Sequence, residues 1–144
     1  MFIGEYQHIL DNKKRVAVPA KFRAQFKKGL VVTRGLDGCL FIYSRDEWDK
    51  IAEKLGSMPV GEKSTRSFIR MVLAGATDGV LDSQGRILIP EYLKEYAGLK
   101  KDVTIAGLFN RLEIWDSRIW EKYKKSAEKN QDEVAEQLGK LGMY

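Results

Sequence analysis

One short motif occurs twice in this chain, and it constrains the fold more than any other feature. The first copy runs from Asp11 to Pro19 and the second from Asp82 to Pro90, and each follows a leucine. Both read Leu-Asp-x-x-x-Arg, then apolar, any residue, apolar, Pro. The three turn-forming or polar residues between Asp and Arg predict a strand, a tight turn and a second strand. A motif written twice indicates an internal repeat.

Each copy also has the side chains expected of a turn followed by a half-buried strand. Gly85 stands where a hairpin turn often requires a positive φ, which glycine adopts at little cost. After each turn, two β-branched residues lie two positions apart and therefore point to one face of a strand. These residues are Val16, Val18, Ile87 and Ile89. Pro19 and Pro90 end the strands and are placed to open short helices.

The repeat extends well beyond this motif. Gly4, Leu10, Asp11, Arg15 and Pro19 each recur 71 residues later. A second set recurs 72 residues later, namely Gly35, Leu36, Leu40, Ile42 and Trp48, matched by Gly107, Leu108, Leu112, Ile114 and Trp120. Two half-chains with one plan predict an internal pseudo-dimer. We expect a mainly β, α+β fold in which two βαβ-type halves form one barrel-like unit, with helices after each half.

Local patterns divide the chain into four predicted segments. These are residues 5–50 as the first repeat, 51–75 as a linker and bridging helix, 76–122 as the second repeat, and 123–144 as a C-terminal helical tail. Runs at 31–33 and 39–43 predict a hairpin. Ser44 with Glu47 forms a capping box that predicts a helix. Asp116 can cap the corresponding later helix.

Several apolar side chains have more than one possible role. The tryptophans at positions 48, 115 and 120 lie in or beside apolar runs, which favours core or subunit contacts over base stacking. The tail carries a narrow apolar stripe that packs either on its own barrel or on an adjacent subunit. The stripe comprises Val134, Leu138 and Leu141. On the bridging helix, Arg66 and Arg70 are suited to phosphate, to a neighbouring subunit or to a solvated face.

The charge of the chain is concentrated in its first half. The net charge is +5, and it divides into +6 for residues 1–72 and −1 for residues 73–144. Between Asn12 and Leu36 there are eight bases and no acid. A run of this kind around a predicted turn favours a polyanion site over a merely solvated face.

The sequence offers little for catalysis or for metal binding. It contains one histidine, His8, and one cysteine, Cys39, with no phosphate loop, dinucleotide glycine pattern or metal-ligand spacing. Asp11 and Asp82 each lie four residues from an arginine, so an Asp–Arg brace is the simpler interpretation than a catalytic carboxylate pair. We therefore expect a non-enzyme without cofactor, metal or small-molecule substrate. No segment has the length of a membrane span, so we expect a soluble intracellular protein without a membrane partner.

The duplicated motif resembles that of the SpoVT/AbrB-like DNA-binding superfamily. With the segments 1–4, 73–76 and 109–116, the chain closely resembles the MraZ family. The resemblance implies two tandem repeats in an intramolecular pseudo-dimeric swapped-hairpin barrel, assembled into a closed homo-oligomeric ring. It also implies a cytoplasmic, nucleoid-associated bacterial transcriptional regulator that binds direct repeats near the promoter of the cell-division and cell-wall gene cluster. First repeats of that family usually have glycine before the arginine, where this chain has Lys14.

The chemistry of the two turns suits double-stranded DNA. An arginine presents a planar fork that fits guanine O6 and N7 or phosphate oxygens, and a two-stranded ribbon fits the major groove. The candidate DNA-binding residues are Asn12, Lys13, Lys14, Arg15, Lys21, Arg23, Gln84 and Arg86. The second turn has little basic support in the sequence and is predicted to be weaker or purely structural. The alternative is a ring-forming assembly module that binds protein rather than specific DNA.

Overall fold

The computed structural model describes residues 1–143 and shows an α+β fold. The strands are β1 (Phe2–Ile9), β2 (Arg15–Ala17), β3 (Leu30–Arg34), β4 (Leu40–Ser44), β5 (Thr77–Gly79), β6 (Arg86–Leu88), β7 (Asp102–Phe109) and β8 (Arg111–Asp116). The α-helices are α1 (Arg45–Gly56), α2 (Lys63–Ile69), α3 (Glu91–Tyr96), α4 (Ser117–Lys129) and α5 (Gln131–Lys140). A 3₁₀ helix spans Ala20–Phe26, and a π-helical turn at Arg70–Ala74 continues α2.

Six strands form one antiparallel sheet in the order β1-β7-β8-β4-β3-β5. The predicted hairpin of β3 and β4 is confirmed, and β7 with β8 forms its counterpart in the second half. The two hairpins join where β4 pairs with β8, with Leu40 opposite Ile114. β1 and β5 are the free edges of this sheet. The part of the chain described here therefore contains no closed barrel.

The remaining two strands form a short ribbon that contains one strand from each repeat. β2 runs antiparallel to β6, with Arg15 opposite Leu88 and Val16 opposite Ile87. The expectation that each turn would connect two strands of one hairpin is wrong. β1 leaves the first turn to pair with β7 over eight residues, whereas β2 finds its backbone partners in the other repeat. This central ribbon therefore carries the first turn at one end and the second turn at the other.

The inner face of the central ribbon is buried in the main core, as the sequence predicted. Val16 and Val18, together with Ile87 and Ile89, are at most 1% exposed. They pack with residues of the 3₁₀ helix, α3 and the six-stranded sheet. Burying each such aliphatic side chain is worth ~1.5–3 kcal/mol. Both turns are therefore held at fixed positions on a rigid support.

A second apolar cluster lies around α1 and the bridging helix, and it settles the role of two tryptophans. Trp48 and Trp115 are buried there, while Trp120 packs with its ring centroid 5.3 Å from that of Trp115. Cys39 is buried in the same cluster, and this burial raises the pKa of its thiol. The predicted cap of α1 is confirmed, because the Ser44 side chain accepts a hydrogen bond from the Glu47 amide.

The C-terminal tail forms two helices rather than one, and they separate at Asn130. The predicted cap of the first is confirmed, since the Asp116 side chain accepts a hydrogen bond from the Arg118 amide. The apolar stripe does not pack on the rest of its own chain, because Val134 is 47% and Leu141 is 76% exposed. No helix within residues 1–143 has both the length and the apolar character needed to cross a membrane.

Candidate nucleic-acid interface

The first turn, residues 11–15, is organised by the carboxylate of Asp11. It accepts hydrogen bonds from the Lys13 amide at 2.9 Å, the Arg15 amide at 2.9 Å and the Arg15 Nε at 2.8 Å. Backbone bonds close the turn, as the Lys14 amide donates to the Asp11 carbonyl and the Asp11 amide to the Arg15 carbonyl. The motif needs Asp because its short carboxylate reaches backbone and side chain together.

The second turn, residues 82–86, repeats this arrangement. Asp82 accepts hydrogen bonds from the Gln84 amide, the Arg86 amide and the Arg86 Nε at 2.9, 2.9 and 2.8 Å. In both turns, the hydrogen bond from the arginine backbone amide is the main cause that lowers the pKa of the carboxyl group. Both carboxylates are thus ionised at neutral pH and act as braces, in agreement with the interpretation from sequence.

The braces leave half of each guanidinium available. Arg15 and Arg86 use Nε internally, and their side chains remain 29% and 26% exposed. Among residues 1–143, neither arginine uses its terminal NH₂ groups in a hydrogen bond. Each turn therefore presents two directed donors at a fixed position, the arrangement required for a base edge or a phosphate.

Lys14 adopts the backbone conformation that the second turn gives to glycine. Its φ is 63°, and that of Gly85 is 75°. Lysine in this left-handed region is strained, because its Cβ crowds the backbone. The Lys14 ammonium forms an ion pair with Glu91 at 3.3 Å. The departure from the family pattern thus leaves the turn geometry intact, and an acid from the second repeat partly offsets the added charge.

The two repeats exchange basic residues at their turns. Arg23, from the first repeat, lies against Gly85 in the second turn, where a Cβ would collide with its guanidinium. Its Nε donates to the Val18 carbonyl at 2.9 Å. The expectation that the second turn has little basic support is therefore wrong. Lys21 instead lies over the rings of Tyr6 and Phe22, at 5.2 and 5.1 Å from their centroids.

The corresponding base at the first turn was missed in the sequence. Lys94 stands 71 residues after Arg23, the same spacing that relates the two motifs. It borders a cleft of about 520 Å³ together with Asp11 and Asn12 of the first turn. The repeat spacing could have revealed this residue, because the basic position in the 3₁₀ helix recurs in α3.

The lone histidine adds no charge at neutral pH. Burial lowers the pKa of His8, and the positive charge of Arg23 lowers it further. Within residues 1–143, no group of three or more His, Cys, Asp or Glu side chains is placed to hold a metal ion. The charged groups near the turns are thus mainly arginine and lysine.

Comparison with known proteins assigns the family. A family model described as "MraZ protein, putative antitoxin-like" matches twice, over residues 1–71 and 72–140. The chain belongs to the MraZ family. It is 49% identical over 138 residues to the transcriptional regulator MraZ of Caldanaerobacter subterraneus subsp. tengcongensis, covering 96% of each chain. It is 48% identical to that of Halothermothrix orenii, over 99% of this chain and all of the relative, and 51% identical to that of Oenococcus oeni, over 96% of each chain.

The two matches fit the geometry of the repeats. Their junction falls between residues 71 and 72, inside the π-helical turn of Arg70–Ala74 that connects the halves. Each half of this MraZ family member contributes one braced turn, one strand of the central ribbon and one hairpin of the large sheet. The identification made from the duplicated motif is therefore confirmed.

Proposed function

We propose that this protein is a sequence-specific DNA-binding transcriptional regulator. The observation that carries the proposal is the pair of braced arginines, Arg15 and Arg86, each with its terminal NH₂ groups directed outward from a rigid turn. The names of the MraZ relatives, which are transcriptional regulators, support the same conclusion. A protein that reads bases needs donors whose positions are set before binding, because each ordering step costs affinity.

The residues divide into base-reading and phosphate-binding groups in this proposal. Arg15 reads a base edge or holds a phosphate closely, and Arg86 has the same role in the second turn. Asn12, Lys13 and Lys14 flank Arg15, and Gln84 precedes Arg86 by two residues. The phosphate-binding group comprises Lys21 and Arg23. Phosphate contacts set the register, while the two arginines supply the sequence preference.

The larger setting of the function follows from the family resemblance. We propose that the chain binds direct repeats near the promoter of the bacterial cell-division and cell-wall gene cluster. It acts in the cytoplasm at the nucleoid, as a closed homo-oligomeric ring. The exposed apolar stripe of the tail supports self-association, since isolated domains of this size rarely leave such side chains uncovered.

Selection from a random duplex library tests the proposal. The protein is expected to enrich one short sequence, and binding to it should weaken as salt rises. The double variant Arg15→Ala with Arg86→Ala, checked for an unchanged circular dichroism spectrum, should lose the enrichment. If the wild-type protein enriches no sequence yet forms a ring, the assembly-module function replaces DNA recognition.

A further inference from the structure

A second basic surface lies in the half of the chain whose net charge is negative. It is a cleft of about 650 Å³ between the α3–β7 loop and the start of α4. Five cations line it, namely Lys100, Lys101, Arg118, Lys122 and Lys125. All five are exposed, and none forms an ion pair with any of residues 1–143.

The acids that line the same cleft are largely occupied elsewhere. The Asp116 carboxylate is buried and accepts hydrogen bonds from the Lys100 and Arg118 amides at 3.3 and 3.2 Å. Glu121 pairs with Lys124, which also pairs with Glu5. Asp102 is the remaining acid of the lining. The cleft is therefore electropositive, although the half-chain sum conceals this.

The cations of α4 lie on one helical face. Arg118, Lys122 and Lys125 are spaced by four and then three residues, which places them in a row along the helix. The opposite side of α4 packs Trp120 and Tyr123 against Trp115. At 1.5 Å per residue, the row extends for ~10 Å, about the rise of three base pairs in a duplex.

This basic cleft is continuous with the first turn. Lys100 and Lys101 line both the 650 Å³ cleft and the 520 Å³ cleft that begins at Asp11 and Asn12. The two segments are also joined through the backbone, because the Leu10 amide donates to the Lys101 carbonyl at 2.8 Å. A strand of DNA leaving the first turn therefore meets a further row of cations without crossing an intervening acidic surface.

We infer that this cleft binds the sugar-phosphate backbone of DNA that flanks the bases contacted by the first turn. The inference rests on the proposed DNA-binding function and extends it to the second half of the chain. Exposed ammonium groups without internal partners make sequence-independent contacts to phosphate oxygens and release counterions as they do so. The second repeat thus supplies affinity through its loop and helix as well as through its own turn.

The test removes three of the five charges and keeps a matched control. The variant carries Lys100→Gln, Lys101→Gln and Lys122→Gln. The control carries Lys54→Gln, Lys63→Gln and Lys140→Gln, three exposed lysines that line neither cleft. Affinity for a long mixed-sequence duplex is measured across a salt series, with the mass of each protein in solution determined in parallel.

The results separate this inference from the proposed function. The cleft variant should bind about tenfold or more weakly, and its salt slope should fall by about three units, since each phosphate contact contributes ~0.9. Equal binding by the cleft variant and the control overturns the inference alone. A changed oligomeric mass in the cleft variant also overturns it, since the cleft then holds another subunit. A wild-type protein that binds no duplex overturns both this inference and the proposed function.

Discussion

Arg15 is the residue whose environment most limits what it can do. Its Nε is committed to Asp11 at 2.8 Å, so only its terminal NH₂ groups can reach a ligand. We expect Arg15→Ala to cost about 1–3 kcal/mol per engaged site, because one directed pair of hydrogen bonds is lost. Titration with the selected duplex measures the effect. Unchanged affinity in a folded variant would show that Arg15 only supports the turn.

Lys14 offers a second test, in which stability and binding change in opposite directions. Lys14→Gly should raise the free energy of unfolding by roughly 0.5 kcal/mol, because relief of the left-handed strain exceeds the backbone entropy of glycine and the lost ion pair. DNA affinity should fall, because a cation is removed. Denaturant unfolding and duplex titration give the two values.

The neighbouring lysine is the control for that experiment. Lys13 is not among the residues with a positive φ, so Lys13→Gly gains nothing from relief of strain. It should lower the free energy of unfolding by roughly 0.5 kcal/mol. Equal stability changes in the two variants would contradict the role assigned to the left-handed conformation of Lys14.

At the scale of elements, the two turns should show a common response to acid. Asp11 and Asp82 both have a pKa below the ordinary value. Their contribution to stability is therefore complete above the unfolded-state pKa of about 4, and it is lost as pH falls through the lowered pKa of the folded state. A variant with Asp11→Asn and Asp82→Asn should have a lower Tm than wild type at neutral pH.

The same comparison at lower pH provides the decisive measurement. Thermal unfolding of both proteins is followed from neutral pH to well below pH 4. The Tm difference should remain constant across the neutral range and then narrow as the wild-type carboxylates take up protons. A difference that persists undiminished in acid would mean that the carboxylate charge is not what stabilises the turns.

The first turn as a unit should account for more non-specific affinity than the Arg86 side chain. The double variant Lys13→Glu with Lys14→Glu should weaken binding to all duplex sequences and lower the salt slope by about two units. Arg86→Ala should mainly reduce discrimination between sequences. Both variants are measured on one selected and one mixed-sequence duplex. Equal losses in the two variants would refute the ranking of the turns by charge.

Local sequence predicted the elements better than it predicted their partners. The alternation at Val16 and Val18 correctly indicated a buried strand face, and the capping residues Ser44 and Asp116 correctly marked helix starts. The pairing of β2 with β6 was beyond that information. A strand of three residues presents the same backbone groups to any neighbour, so its partner is set by tertiary packing.

Charge totals misled for a related physical reason. A sum over a half-chain counts every acid as if it lay beside every base. Asp116 is a buried helix cap, and Arg23 lies at the turn of the opposite repeat. The distribution of charge in space therefore differs from its distribution along the chain. The spacing of 71 that relates Arg23 to Lys94 was the one sequence signal that pointed across the repeats.

For the whole molecule, the surface available for assembly is smaller than the tryptophan content suggested. Trp48 and Trp115 are core residues, so they cannot contact another subunit. The tail remains the better candidate, since its stripe of Val134, Leu138 and Leu141 lies outside both apolar clusters. Two turns that each read a few bases cannot overcome the excess of competing genomic sites without help from further subunits.

The final prediction concerns the number of DNA repeats that one assembly engages. If a closed oligomer places several first turns along the DNA, each bound turn raises the effective concentration of the next. Duplexes carrying one, two or three copies of the selected sequence at constant length should therefore show affinity that rises far more steeply than copy number. Sedimentation gives the mass of the free and bound protein. A monomer that binds one copy as tightly as three would exclude this mechanism, and Leu138→Glu, which places a charge in the tail stripe, should convert the steep dependence into a shallow one.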